Sequence, residues 1–181
     1  MSKFDAQFAG RLDGQTVLVT GAKGGIGHET AQGAGNSGAT VLVHARRADQ
    51  ARRAADLLAG KGNGKGRYLA VAGDLGSLAG VRELVEAVRQ ASPKGLNGLV
   101  NNAGAAFAAK ALSPDGYERT IAINHIAAAA LTEGLLDLLR QGADDFAAPS
   151  RVVIMTALIE SRGEPITDWS YPGKYKQIQA Y

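Results

Sequence analysis

The sequence predicts an α/β protein built on a doubly wound parallel sheet, with helices on both faces in three layers. Three observations point there. Short apolar, β-branched runs alternate with helical stretches of ten or more residues, the pattern of βαβ crossovers. One run, Thr40-Val41-Leu42-Val43-His44, is almost continuously apolar, as a strand covered on both faces is. The first run turns through glycines into a helix start, and polar residues recur just after later runs, where the crevice of such a sheet lies.

In chain order, residues 1–14 read as a lead-in partly ordered by Phe4 and Phe8, and residues 15–181 as one dinucleotide-binding domain. Strand one is expected over Thr16–Thr20, after the turn signal Asp13-Gly14. Helix one follows from Gly25 to Gly35, with Ile26 and Ala31 facing the sheet, and stops at Asn36-Ser37-Gly38. After strand two, a helix opens at Asp49 and runs to Ala59 with Ala51, Ala55 and Leu58 inward, and Gly60 stops it. Strand three spans 67–72. Ser77 caps a helix to Ala91 whose inner stripe is Leu78, Val81, Leu84, Val85 and Val88. Pro93-Lys94-Gly95 breaks it. Strand four is Gly98–Asn101, a long helix is expected from Pro114 to Arg140, and strand five is Arg151–Met155.

Composition narrows the function classes. The 181 residues are 45% hydrophobic and 20% charged, enough for one domain with a core of its own. The absence of cysteine excludes disulfides, thiolate catalysis and cysteine metal sites. His28, His44 and His125 are scattered and suggest no metal centre. No apolar run reaches the length of a membrane span, and the N-terminus lacks the apolar core of a signal peptide. The expectation is a cytoplasmic protein with no membrane partner. The net charge of +3 is dispersed, so no nucleic-acid partner is expected either.

The chemistry centres on Thr20-Gly21-Ala22-Lys23-Gly24-Gly25-Ile26-Gly27. A helix N-terminus presents unpaired N–H groups and a partial positive charge, and glycines let a pyrophosphate approach closely. The spacing is G-x-x-x-G-x-G among 24 glycines in the chain, so a ligand-free glycine turn is the competing reading. Strand two ends in His44-Ala45-Arg46-Arg47 and carries no acid to hold a free ribose 2′-hydroxyl. Arg46 and Arg47 suit a 2′-phosphate, with Lys23 as a third charge; the alternative is two solvated residues at a helix start. Asp74, followed by Leu75, either accepts from an adenine amino group or serves as a turn aspartate. Asn101-Asn102-Ala103-Gly104 either lets the chain pass close to the cofactor or is a plain Asn/Gly turn.

The glycine segment 20–27 and Asn101-Asn102-Ala103-Gly104, on two separate βα units, resemble the two signatures of the short-chain dehydrogenase/reductase family. Asp115-Gly116-Tyr117-Glu118-Arg119-Thr120-Ile121-Ala122-Ile123-Asn124-His125 also resembles that family, most closely its retinol-dehydrogenase-like and protochlorophyllide-reductase-like branches. The resemblance covers the chain from near Leu12 onward. It implies a Rossmann domain that binds NADP through Gly21, Lys23, Gly24, Gly25, Ile26, Gly27, Arg46, Arg47, Asp74, Leu75, Asn102, Ala103 and Gly104. It further implies hydride transfer to or from a small carbonyl or alcohol, and a homodimer through the helix around Asn124.

The family's active site is a Ser-Tyr-Lys set with a helix asparagine. Tyrosine is the acid or base, and a neighbouring lysine brings its pKa, ordinarily about 10, toward neutrality. Asn124 matches the helix asparagine, although a mid-helix asparagine can also simply satisfy a local carbonyl. Ala157 stands at the serine position with Thr156 one residue earlier, and Ser161 lies too far along. Gln179-Ala180-Tyr181 resembles the entry to the Tyr-x-x-x-Lys pattern, with Tyr181 as the final residue and no lysine after it. The expectation is therefore a domain incomplete at its C-terminus, lacking the family's last strands and with little turnover. The alternative is a catalytically inactive nucleotide-binding or interaction module.

Overall fold

The computed structural model describes residues 10–62, 66–156 and 168–173. Its elements are β1 (Thr16–Val19), α1 (Gly25–Asn36), β2 (Thr40–Ala45), α2 (Ala48–Lys61), β3 (Arg67–Ala72), α3 (Leu78–Ala91), β4 (Gly98–Asn101), α4 (Arg119–Gly134), α5 (Leu136–Phe146) and β5 (Arg151–Ile154). The strands form one sheet in the order β3-β2-β1-β4-β5, with every pair parallel. The chain winds outward from β1 through β2 to β3, then returns to β1's other side for β4 and β5. That reversal opens a crevice beyond the carboxyl ends of β1 and β4.

Side-chain alternation along β1 and β2 divides the core into two layers. Val17, Val19, Val41 and Val43 pack with Ala31, Ala54, Ala55 and Leu58 of α1 and α2. Leu18, Leu42 and Leu99 face the other way, into Leu84, Val88, Leu131 and Leu135 of α3, α4 and the α4–α5 joint. Register aligns Val19 with both Val43 and Val100, so the strand ends that carry the polar residues lie at one edge.

Two sequence expectations are corrected. The long helix does not run unbroken from Pro114 to Arg140. Residues 113–118 form a turn in which Gly116 takes a φ of 86° and Leu112 bridges to Glu118. The helix starts at Arg119, where the buried Glu118 carboxylate accepts from the Thr120 and Ile121 amides at 2.8 and 3.0 Å. It then breaks at Leu135, and α4 and α5 meet at 54°. Arg89 of α3 holds that elbow, its Nη2 donating to Gly134 O at 2.8 Å and to Asp137 Oδ1 at 2.9 Å. A proline in a helical pattern was thus a weaker start signal than a buried carboxylate that satisfies two free amides.

The second correction concerns Ile26. Ala31 is fully buried against the sheet, but Ile26 is 65% exposed. It sits in the first turn of α1 and lines the cavity over the carboxyl edge of the sheet. Strand β5 forms one edge of the sheet, and Val152, Val153, Ile154 and Met155 are all exposed there. Among the described residues no single helix is long and apolar enough to cross a membrane.

Candidate functional site

A cavity of about 740 Å³ lies over the carboxyl edge of the sheet, walled by the loops after β1, β2, β3 and β4 and by the approach to α4. The β1–α1 loop forms its floor. Gly21 and Gly25 take φ values of 66° and 58°, in the left-handed region that favours glycine. A Cβ on Gly27 would collide with Asn102 Nδ2 and stand 2.7 Å from Gly21 O. This glycine therefore serves the contact between the β1 and β4 loops. Gly24 and Gly25 differ, since a Cβ there would meet nothing within 4 Å. Gly24 is the N-cap of helix α1, which has no side-chain cap and no acidic residue in its first turn. The positive end of its dipole is left for something else to balance.

Thr20 stitches two of the loops together. Its Oγ1 accepts from the Asn102 and Ala103 amides, both at 2.9 Å, and donates to Val100 O at 3.2 Å. Asn102 Nδ2 donates in return to Thr20 O at 2.8 Å. His44 makes a second tie. The Gly21 amide donates to its Nδ1 at 3.2 Å, and its Nε2 lies 3.0 Å from Gly73 O. Burial pushes the His44 pKa below the usual imidazole value, with the Gly73 carbonyl and the Asp74 carboxylate opposing that shift.

The structure brings most of the expected residues to this cavity. Gly21, Lys23, Gly24, Ile26 and Gly27 line it from the first loop, and Asn102, Ala103 and Gly104 from the β4 loop. Asp74 and Leu75 line it from the β3 loop, where Asp74 Oδ1 also accepts from the Gly76 amide at 2.9 Å, as a turn aspartate does. The two arginines part company. Arg46 lines the cavity, whereas Arg47 is outside its lining, with Nε 3.0 Å from Asp49 Oδ1. Gly25 contributes its backbone turn and is likewise outside the lining.

Asn124 sits in a π-helical turn, Ala122–Ile126, inside α4. Its Oδ1 accepts from the Ala105 amide at 2.8 Å and its Nδ2 donates to Ala105 O at 3.0 Å. The side chain thus pairs with both backbone groups of one residue, Ala105, and pins the segment following Gly104. Thr156 is exposed and lies outside the cavity lining. Ala157, Ser161 and Tyr181 lie outside the described residues.

Sequence reasoning assigned no role to Thr20 or His44. A signal for His44 was present, since a lone imidazole follows the apolar run Val41-Leu42-Val43 near the end of β2. It also overlooked Arg119, whose guanidinium lies 4.1 Å over the Phe107 ring on the far wall of the cavity.

A family model for short chain dehydrogenases matches residues 15–156. The chain belongs to the short-chain dehydrogenase family. Retinol dehydrogenase 14 of Mus musculus is 34% identical over 164 residues, covering 86% of this chain and 47% of its own. A crystal structure of a protein from Mycobacterium paratuberculosis superposes with a TM-score of 0.79 at 28% identity, over 98% of this chain and 59% of that one. The Pseudomonas aeruginosa RhlG/NADP complex gives a TM-score of 0.72 at 31% identity, over 94% of this chain and 62% of that one. The chain thus spans about half the length of the curated relatives it matches. The chain has the family's doubly wound sheet and, at its carboxyl edge, the cavity described above.

Proposed function

We propose that this chain forms the nucleotide-binding part of an NADP(H)-dependent oxidoreductase acting on a small carbonyl or alcohol. The observation that carries the reading is Arg46. It lines the same cavity as the uncapped N-terminus of α1, and no acid ends β2. The residues present fit the cofactor. The open positions at Gly24 and Gly25 leave room for a pyrophosphate beside the first turn of α1. Arg46 and Lys23 supply positive charge for a 2′-phosphate, and Asp74 offers a carboxylate to an adenine amino group. The RhlG structure, a complex with NADP, supports the same choice of nucleotide.

When bound, the cofactor supplies or accepts the hydride. The chain's own part is to bind, to orient and to manage the proton. Asn124 holds the β4 loop through Ala105, which sets the wall on the side away from Arg46. By family resemblance Tyr181 would exchange the proton with substrate, Thr156 standing beside the serine position. With alanine at 157 where the family carries serine, turnover by this chain is expected to be low. The same alanine favours a second reading, a nucleotide-binding module without catalysis. A homodimer through α4 belongs to the family-based proposal and is read by analytical ultracentrifugation.

Calorimetry with NADPH and NADH tests the assignment. Arg46→Ala should weaken NADPH by roughly 10–100-fold while changing NADH little. Equal losses for both would refute the 2′-phosphate role. Binding without reduction of a carbonyl panel would select the module.

A further inference from the structure

A buried titratable group at the cavity edge, His44, has no part in that account. His44 is the last polar residue of β2 before the arginines, and only 3% of its surface is exposed. It lies at the edge of the cavity, one strand away from the glycine loop on one side and the β3 loop on the other. Both of its ring nitrogens are engaged with backbone. The Gly21 amide can only donate, so Nδ1, 3.2 Å away, must be bare. The proton of the neutral ring then sits on Nε2 and is donated to Gly73 O at 3.0 Å. Geometry alone selects one tautomer.

We propose that His44 is a positioning residue for the nucleotide site. It is a strut, protonated on Nε2 alone, that joins the glycine loop after β1 to the Gly73–Asp74 loop after β3. The inference rests on the reading that the cavity holds a dinucleotide. The two loops it joins are those assigned to the pyrophosphate and to the adenine, so the strut sets the distance between the two halves of that ligand. It also helps hold Gly21, whose φ of 66° keeps the loop turned. The backbone adds a parallel tie, the Ala22 amide donating to His44 O at 3.0 Å.

Protonation of Nδ1 would turn an acceptor into a donor facing another donor, and the Gly21 bond would be lost. Asp74 on the β3 loop favours the cation. Lys23 on the glycine loop and Arg46 on the strand's own extension line the same cavity. Acid should therefore loosen the first loop and weaken nucleotide binding. An asparagine at this position places Oδ1 near Nδ1 and accepts from Gly21 at every pH.

The test uses the full chain with three variants and two independent readouts. NADP⁺ affinity is measured by calorimetry from pH 7.5 to 5.5 in wild type, His44→Leu, His44→Asn and His44→Gln. His44→Leu should lose tenfold or more, about the worth of one hydrogen bond to a loop that must hold its shape. His44→Asn should return to within about threefold of wild type at pH 7.5, because Asn restores the acceptor for Gly21. It should also show a shallower loss in acid than wild type. Titration of the ligand's own 2′-phosphate is common to both proteins and cancels in that comparison. His44→Gln, which reaches Gly73 but not Gly21, should behave like His44→Leu.

The second readout needs no nucleotide. Imidazole ¹⁵N shifts should show His44 neutral with the proton on Nε2. Gly21 amide exchange should be faster in His44→Gln than in His44→Asn. A proton on Nδ1, equal Gly21 exchange in the two variants, or parallel pH profiles would overturn the strut. If wild type failed to bind NADP⁺ while the tautomer and the exchange pattern held, the dinucleotide reading would fall and the strut between the loops would stand.

Discussion

Thr20 does more for the site than its place in the glycine segment suggests. Its hydroxyl is buried and gathers two amides from a loop 82 and 83 residues away. Thr20→Val keeps the shape and leaves both amides without that acceptor. The expected cost is about 1–3 kcal/mol, read from urea denaturation, with a matching loss of nucleotide affinity. Thr20→Ser should recover most of both. Gly27 offers a sharper contrast with Gly24. Gly27→Ala forces a Cβ into Asn102 and Gly21, so it should disrupt nucleotide binding and lower the thermal midpoint. Gly24→Ala meets nothing in the protein, so an effect confined to nucleotide affinity would mark the space beside it as ligand space.

Helix α4 shows how an element's start is chosen. Ser113-Pro114-Asp115 carries a proline suited to a first turn, yet the helix begins five residues later at Arg119. Glu118 is fully buried and its carboxylate serves two first-turn amides at once. Glu118→Ala is expected to cost about 1–2 kcal/mol and to fray the turn that leads to Asn124. Glu118→Gln retains an amide oxygen as acceptor and should lose less, as judged by denaturation midpoints. At the other end of α4, the Arg89 clamp is partly exposed, so Arg89→Met should cost under about 1 kcal/mol. The π-helical turn between these ends brings Asn124 to Ala105.

For the molecule as a whole, pH and surface are the tests. His44 has a folded pKa held below its unfolded value of about 6.5, chiefly by burial. The unfolded chain therefore takes up a proton before the native state does. Stability should be full above about pH 6.5 and fall as pH drops toward the folded value. Urea midpoints between pH 7.5 and 5 should show that limb in wild type and a flatter one in His44→Asn. The exposed apolar strip on β5 predicts self-association at high concentration. Ile154→Lys, on a side chain 61% exposed, should lower both light scattering and binding of an apolar dye without lowering the unfolding midpoint.

What the sequence by itself determined is what short-range pattern can determine. The apolar runs specified five strands, their alternation with helices specified a parallel doubly wound sheet, and Ser77 marked the start of α3. The glycine loop, Arg46, Asp74 and Asn102 were legible as one cavity because each follows a strand end, and parallel strands bring those ends to one edge. Only the tertiary structure decided how the loops are joined. Arg47 turns to Asp49 while Arg46 stays on the cavity, a division that two adjacent identical residues cannot display in sequence. Ile26 is exposed and lines the cavity, and His44 reaches Gly21 and Gly73 because β2 lies between β1 and β3. Periodicity reports which side of an element is apolar. Hydrogen bonds between residues 80 positions apart exist only once strand pairing has set β4 beside β1.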